Sequence, residues 1–284
     1  MTHSVRQPPE PAARGGPAAR GGQERPPGFV QSLERGLAVI RAFDAEHPEL
    51  SLSDVARATG LTRAAAGRFL RTLVELGYMR ADGRMFSLRP RILELGYAYL
   101  SGLGLPEVAQ PHLERLVAAV RESSSVSVLD GDEIVYVARV PTKRIMTVAI
   151  NVGTRFPAYA TSMGRVLLAA QTDDWIVGYL ASARLDPLTP HTITDPGQLH
   201  DELMLVRKQG WALADQQLEE GLRSIAAPLH DASGQVVAAV NVSAHISRGG
   251  NEVIRSELLP RLLSTAALIE EDLRGGAAPR VGRA

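Results

Sequence analysis

The chain lacks cysteine and carries no net charge. Its 284 residues contain 31 Lys and Arg against 31 Asp and Glu. The absence of cysteine excludes disulfides, thiolate zinc sites and cysteine nucleophiles, and it is typical of a reducing compartment. The balanced charge excludes a uniformly basic coat for nucleic acid but allows a local basic patch.

Long apolar runs are also missing. No stretch approaches the ~20 apolar residues that span a bilayer, and the first residues lack the apolar core of a signal peptide. With 45% hydrophobic residues the chain can bury a sizeable core, and its length predicts two domains. We therefore expect a soluble, cytoplasmic protein without membrane contact.

Residues 1–28 are rich in Pro, Gly, Ala and Arg and have few side chains to bury. The motif Pro-Ala-Ala-Arg-Gly-Gly occurs at 11–16 and again at 17–22. This composition predicts a disordered tail. Residues 275–284, which begin Gly-Gly-Ala-Ala-Pro, are predicted to form a second disordered tail.

Between these ends, residues 50–88 have the order of a winged helix-turn-helix. Ser53 is a candidate N-cap for a short helix, and Gly60 can end that helix in the left-handed conformation. Thr62 is placed to cap a second helix. Along that helix a buried stripe is predicted at Ala66, Phe69, Leu70, Leu73 and Gly77.

The opposite face of the second helix is basic. Residues 62–91 contain seven Arg and Lys against two acidic residues. Asp82-Gly83 predicts a type I′ turn that places Arg84 near the tip of a wing. A solvated amphipathic helix is the alternative, but helix, turn, helix and hairpin together favour DNA. The predicted DNA-binding residues are Thr62, Arg63, Ala64, Gly67, Arg68, Arg71 and Arg84.

Two helices are predicted to flank this motif. The first, 32–43, carries Leu33, Leu37, Ile40 and Phe43 on one stripe and should pack under the motif. The second, within 90–100, is apolar nearly all round, which predicts packing between domains or against a second subunit.

The remaining sequence alternates between the periods of helix and strand. Helices are predicted at 107–122, 161–171, 173–182, 196–209 and 251–273. Strands are predicted at 125–129, 133–138, 144–150, 211–215, 224–230 and 235–243, with turns at 130–132, 151–154 and 231–234. The resulting fold class is α+β, with a pocket between sheet and loops.

Signatures of catalysis are absent from the sequence. There is no phosphate-binding loop, and Ala160 replaces the first glycine of a nucleophile elbow around Ser162. The seven histidines have no metal-ligand spacing. We expect no enzyme activity, no cofactor and no metal; a small-molecule-processing enzyme is a remote alternative.

Three segments carry a resemblance to a known family: residues 60–66 (GLTRAAA), 137–141 (VARVP) and 152–169 (VGTRFPAYATSMGRVLLA). On the basis of these segments, the chain resembles IclR-type bacterial transcription regulators over about residues 29–273. Within that family, residues 62–66 and 157–165 resemble the subgroup that regulates protocatechuate, para-hydroxybenzoate and β-ketoadipate catabolism. That subgroup commonly has arginine where Gly67 stands.

The resemblance implies a winged helix-turn-helix domain (29–89), a linker helix (90–105) and a GAF-like effector-binding domain (106–274). It also implies a homodimer or dimer of dimers on a double-stranded DNA operator, because paired recognition helices read a palindrome. The implied effector-binding positions are Ile145, Val148, Phe156, Thr161, Ser162, Met163, Asp215, Leu222, Ser224, Asn241 and Ser243.

The chemistry of these positions fits a small carboxylate. Thr161 and Ser162 begin a predicted helix, whose free N–H groups favour an anion. Asn241 and Ser243 share one face of a strand, and Phe156, Met163 and Leu222 add apolar walls. An aromatic or dicarboxylic acid fits such a slot, and glyoxylate or pyruvate is the alternative. The other interpretation is that these polar residues only cap a helix and satisfy backbone groups.

The hypothetical mechanism is that effector binding shifts the domains through the helix at 90–100 and changes the spacing of the two recognition helices. This works only if the ligand binds the two states with different affinity. The sequence leaves open whether the result is repression or activation.

Overall fold

The computed structural model describes residues 26–44, 46–95, 104–142 and 150–275. Two compact units divide after Leu95. Most of the predicted 1–28 and 275–284 tails lies outside the described residues, as do 96–100 of the predicted linker helix and 144–149 of the predicted third strand. Residues 26–28, at the end of the first tail, form a turn.

The N-terminal unit is a winged helix-turn-helix, as predicted. Its elements are α1 (Gln31–Arg41), β1 (Glu49–Ser51), α2 (Leu52–Thr59), α3 (Arg63–Glu75), β2 (Met79–Asp82) and β3 (Met85–Leu88). The antiparallel strands lie in the order β1-β3-β2. One core holds the helices together and includes Val39, Val55, Leu70 and Met79, each buried.

Helix α2 is capped by Ser51, so the predicted cap at Ser53 is wrong. Asp54 decides the position, because it stands three residues after Ser51 and completes a capping box. The backbone N–H of Asp54 donates to Ser51 Oγ at 3.3 Å, and the backbone N–H of Ser51 donates to the Asp54 carboxylate at 3.2 Å. Hydrogen bonds from Ser51 hold the pKa of Asp54 below its usual value.

The turn between α2 and α3 follows the prediction. Gly60 ends α2 with φ +65°, and Thr62 Oγ1 accepts from the backbone N–H of Ala65 at 3.2 Å. Ala66, Leu70 and Leu73 are buried on α3, as expected, while Phe69 and Gly77 are half-buried.

The wing has a different turn from the one predicted. Asp82 pairs with Met85, so the two turn residues are Gly83 and Arg84. Gly83 has φ +58° and Arg84 does not have a positive φ. A type I′ turn needs a positive φ at both positions, so this pattern is that of type II′. Arg84 is nevertheless at the tip.

The apolar stripe predicted on the first helix is right only in its second half. Phe43, just after α1, is buried and Ile40 packs against the same core, whereas Leu33 and Leu37 are 63% and 45% exposed. Val39 is the buried residue within α1 itself. The predicted helix from residue 90 begins instead as a 3₁₀ turn, Pro90–Leu93, in which Leu93 is exposed.

The C-terminal unit is built on a six-stranded antiparallel sheet in the order β6-β5-β4-β9-β8-β7. Its strands are β4 (Ser123–Asp130), β5 (Glu133–Val140), β6 (Arg155–Pro157), β7 (Ala212–Asp215), β8 (Leu222–His230) and β9 (Val236–His245). Its helices are α4 (Leu105–Val120), α5 (Ser162–Ala169), α6 (Asp173–Ser182), α7 (Pro196–Gln209) and α8 (Leu259–Gly275). A short helix, Asn251–Val253, and a π-helical turn, Ile254–Leu258, precede α8.

Both faces of this sheet are covered, which confirms the α+β class. Leu113 of α4 and Leu262 of α8 share one core with Val126 and Val240. On the other face, α5 and α7 contribute a second core with Ile134 and Ala226. No helix of the described residues is both long and apolar enough to cross a membrane.

Helix α5 lies unusually close to the backbone that precedes it. A 3₁₀ turn, Ala158–Ala160, leads into the cap residue Thr161, whose Oγ1 accepts from the backbone N–H of Gly164 at 3.0 Å. A Cβ at Gly164 would lie 2.1 Å from the carbonyl oxygen of Ala158 and 2.4 Å from its Cα. Only glycine therefore allows α5 to pack against this turn.

We predict that Gly164→Ala destabilises the protein by at least about 2 kcal/mol, because rigid backbone must move to admit the methyl group. The matched control is Gly178→Ala in α6, where an added Cβ meets nothing within 4 Å. Urea unfolding measures both variants. Equal midpoints for the two variants would contradict the close approach.

Candidate DNA-binding face and effector pocket

The basic face predicted on α3 is exposed except at one position. Thr62, Arg63, Ala64, Arg68 and Arg71 are exposed, and so is Arg84 at the tip of the wing. Gly67, by contrast, is buried, and a Cβ there would lie 3.5 Å from Leu52 Cδ1. The predicted place of Gly67 on the open face is therefore wrong, because α2 covers that side of the helix.

The charges of this face are available to a ligand. Within the described residues, no carboxylate forms an ion pair with Arg63, Arg68, Arg71 or Arg84. Neighbouring arginines are engaged: Arg57 pairs with Asp54 at 3.2 Å and Arg80 with Glu49 at 3.4 Å. Unpaired guanidinium groups on an exposed helix and a wing tip suit contacts to phosphate and to base edges.

A pocket lies in the C-terminal unit between the start of α5 and one face of the sheet. Its cavity volume is about 20 Å³, which is about the space that one water molecule needs. Apolar walls surround a polar floor. The lining residues are Tyr136, Ile150, Ala160, Thr161, Ser162, Met163, Ala214, Gln217, Leu218, Leu222, Ser224, Asn241 and Ser243.

The polar floor is a buried hydrogen-bond network centred on Ser224. Its Oγ lies 2.8 Å from Ser162 Oγ, 3.0 Å from Asn241 Nδ2 and 3.1 Å from Ser243 Oγ. Asn241 Oδ1 accepts from the backbone N–H of Ser125 at 3.0 Å. These polar groups are buried yet mutually satisfied, so the floor is held in one arrangement.

Most of the predicted effector residues meet in this pocket. Alternation along β9 places Asn241 and Ser243 on the same face, as expected. The predicted residues that line the pocket are Thr161, Ser162, Met163, Leu222, Ser224, Asn241 and Ser243. Ile145 and Val148 lie outside the described residues.

Two predicted residues do not line the pocket. Asp215 faces the other way, because its neighbour Ala214 is the residue of β7 that points into the pocket. Its carboxylate instead accepts from Arg223 Nη2 at 3.0 Å. Phe156 contacts the pocket residue Tyr136 edge-on, with ring centroids 5.9 Å apart, and does not reach the cavity.

Sequence reasoning missed other lining residues. Tyr136 could have been found from its place on an alternating strand; burial raises its pKa to about 12, so the phenol is neutral at physiological pH. Gln217 and Leu218 lie in an irregular connection, where no periodic signal exists. Buried Arg165 hydrogen-bonds Gln217 Oε1 and the carbonyl oxygen of Tyr159, which fixes this connection beside α5.

Two family models match the chain. The IclR helix-turn-helix domain matches residues 32–83, and the C-terminal domain of the bacterial transcriptional regulator IclR matches residues 97–271. Together these matches span most of the chain and both of its units.

Individual relatives agree with the family models. The Pca regulon regulatory protein of Pseudomonas putida is 47% identical over 248 residues, covering 87% of this chain and 84% of that protein. A crystal structure described as a transcriptional regulator from Rhodococcus sp. RHA1 is 60% identical, with a TM-score of 0.78, covering 86% of this chain and 98% of that one. An IclR homolog from Microbacterium hydrocarbonoxydans, crystallised with 4-hydroxybenzoate, is 27% identical with a TM-score of 0.76. The match covers 86% of this chain and 99% of that one. The chain therefore belongs to the IclR family of bacterial transcriptional regulators, as its sequence motifs predicted.

Proposed function

We propose that this regulator binds its operator under the control of a small carboxylic acid, either an aromatic acid or β-ketoadipate of the protocatechuate pathway. The observation that carries the proposal is the buried polar floor beneath an apolar pocket. A few fixed polar groups within apolar walls are the usual composition of a small-ligand site. The 4-hydroxybenzoate complex of the Microbacterium homolog and the name of the Pseudomonas relative support this class of acid.

The start of α5 supplies the first anchor for such an acid. Ser162 is the first residue of the helix, and its side chain lies at the polar floor. Free N–H groups and the helix dipole favour an anionic oxygen at this end. Met163 and Leu222 provide apolar surface for a ring or an alkyl chain.

The size of the cavity supports a conformational response. An aromatic acid does not fit into about 20 Å³, so lining side chains or the connection at 216–221 must move when it binds. Such a ligand binds an opened state better than the closed one, and this difference in affinity is what a regulatory switch requires. The same small volume favours glyoxylate or pyruvate as the second candidate class.

For the DNA side, the proposal is a homodimer or dimer of dimers whose paired recognition helices α3 read two half-sites about one helical turn apart. Residues 29–89 form the DNA-binding part, 90–105 the linker and 106–274 the effector-binding part. The exposed apolar residues Leu33 and Leu37 of α1 support a protein contact at this helix.

The DNA face is tested with Arg68→Ala and Arg84→Ala. Each variant should weaken operator binding by roughly 5- to 100-fold and lower the salt dependence, because each removes a groove or phosphate contact. The duplex is the best-bound sequence selected from a random library, and affinity is measured by gel shift. Arg184→Ala removes an exposed arginine from the C-terminal unit and should leave binding unchanged. Wild-type affinity in both α3 and wing variants would refute the assigned face.

The effector site is tested by calorimetric titration with protocatechuate, 4-hydroxybenzoate, β-ketoadipate and glyoxylate. One of the first three should bind, and Ser162→Ala and Asn241→Ala should each weaken it about tenfold, because each loses a hydrogen bond in a dry site. Ser182→Ala, at an exposed serine of α6, is the control. Binding of glyoxylate alone selects the second candidate class. If none of the four acids binds, the proposed effector class is contradicted, whereas the proposal that the protein binds an operator is not affected.

A further inference from the structure

Arg139 on β5 is a partly buried cation. Its Nη1 donates to Ser125 Oγ at 3.0 Å, whereas its Nε is buried and has no hydrogen-bond partner among the described residues. No carboxylate of the described residues pairs with it. Burial lowers the pKa of this guanidinium, and a desolvated charge without a counter-charge is energetically costly.

The other shielded arginines of the C-terminal unit differ from Arg139 in having a carboxylate partner, although Arg223 Nε and Arg248 Nε are also buried without a hydrogen-bond partner among the described residues. Among the described residues of that unit, the arginines that are not exposed are Arg139, Arg165, Arg223 and Arg248. Arg165 pairs with Glu202 at 3.4 Å, Arg223 with Asp215 at 3.0 Å and Arg248 with Glu122 at 3.0 Å. Arg139 is therefore the exception within this set.

The sheet register brings Arg139 to the polar floor. Arg139 pairs with Ser125 on β4, and Ser125 pairs with Asn241 on β9, so the three residues form one row across the sheet. Ser127, two residues along β4 on the same face, donates to Met163 Sδ at 3.3 Å. This face is therefore the one that α5 covers, and Asn241 and Met163 both line the pocket.

We propose that Arg139 binds a carboxylate of the effector and that the start of α5 binds a second polar group of the same molecule. The effector is then an acid with two polar ends, either a dicarboxylate or a hydroxylated aromatic acid. A guanidinium donates two parallel hydrogen bonds to a carboxylate, and the buried Nε–H is one of the donors this needs. This inference rests on the proposed effector site and adds to it Arg139, which is not among the effector-binding positions that the resemblance implies.

The test compares each acid with a neutral analogue of similar shape. Protocatechuate is paired with 3,4-dihydroxybenzaldehyde, 4-hydroxybenzoate with 4-hydroxybenzaldehyde, and β-ketoadipate with its dimethyl ester. Calorimetry on the full chain gives the affinity ratio within the pair that wild type binds. Arg139→Met should weaken the acid at least about tenfold and its neutral analogue less than twofold, because only the acid loses a charge-assisted hydrogen bond.

Three variants separate this role from a structural one. Arg139→Lys keeps the positive charge but loses the two parallel N–H donors of the guanidinium, and it should weaken acid binding less than Arg139→Met does. Ser125→Ala removes the hydrogen bond that the Arg139 side chain makes within the described residues and should leave the affinity ratio of the acid to its neutral analogue unchanged. Arg155→Met changes an exposed arginine that already pairs with Asp130 and Glu133, and it should also leave the ratio unchanged.

The outcomes distinguish the two proposals. If wild type binds none of the acids, the proposed function fails. If wild type binds an acid, and Arg139→Met weakens the acid and its neutral analogue equally or leaves both unchanged, the role of Arg139 is refuted and the proposed function stands. Thermal unfolding and operator binding show whether each variant is folded. If Arg139→Met does not fold, the affinity ratio is measured with Arg139→Lys instead.

Discussion

The C-terminal unit depends on one requirement: the polar side chains buried between its sheet and α5 must satisfy one another. Ser162, Ser224, Asn241 and Ser243 are each less than 9% exposed. Such groups are tolerated in a dry interior only when their hydrogen bonds are complete. Here Ser224 bridges helix and sheet, so the network that satisfies the polar groups also fixes the position of α5. The floor of the pocket and the packing of the helix are the same set of contacts.

The arginine side chains of the two units have opposite environments. On α3 and at the tip of the wing, Arg63, Arg68, Arg71 and Arg84 are exposed and pair with no carboxylate of the described residues, which keeps them available for a polyanion. In the C-terminal unit, shielded arginines are paired with acids, with Arg139 as the exception among the described residues. An unpaired cation is informative in either place, because proteins rarely bury or cluster charge without a partner. The DNA face and the proposed carboxylate anchor follow from this one observation.

Local signals in the sequence were sufficient wherever a single residue determines the conformation. Gly60 ends α2 and Thr62 caps α3 as predicted, because a left-handed glycine and a side-chain cap act within one turn. Ser53 is not the cap of α2, because Asp54 stands three residues after Ser51 and completes the capping box there. Asp215, which the resemblance implies as an effector-binding residue, lies on the face of β7 opposite to the pocket, because neighbouring residues of a strand point to opposite faces.

Non-local features could not be predicted in this way. The burial of Gly67 depends on Leu52 from another helix, and the exposure of Leu33 depends on where α1 meets its neighbours. Gln217 and Leu218 reach the pocket from an irregular connection that is held by Arg165. Arg139 becomes unusual only after strand pairing has brought Ser125 and Asn241 beside it. In each case the deciding contact joins residues that are distant in sequence.

The central claim is that ligand binding at the polar floor changes operator binding. The most direct measurement is the operator affinity of wild type and of Asn241→Ala, each with and without a saturating concentration of the acid that wild type binds. The account predicts a shift of at least about fivefold in wild type, in the range of ordinary allosteric coupling, and a smaller shift in the variant at the same acid concentration. An operator affinity that does not respond to the acid in wild type would contradict the account.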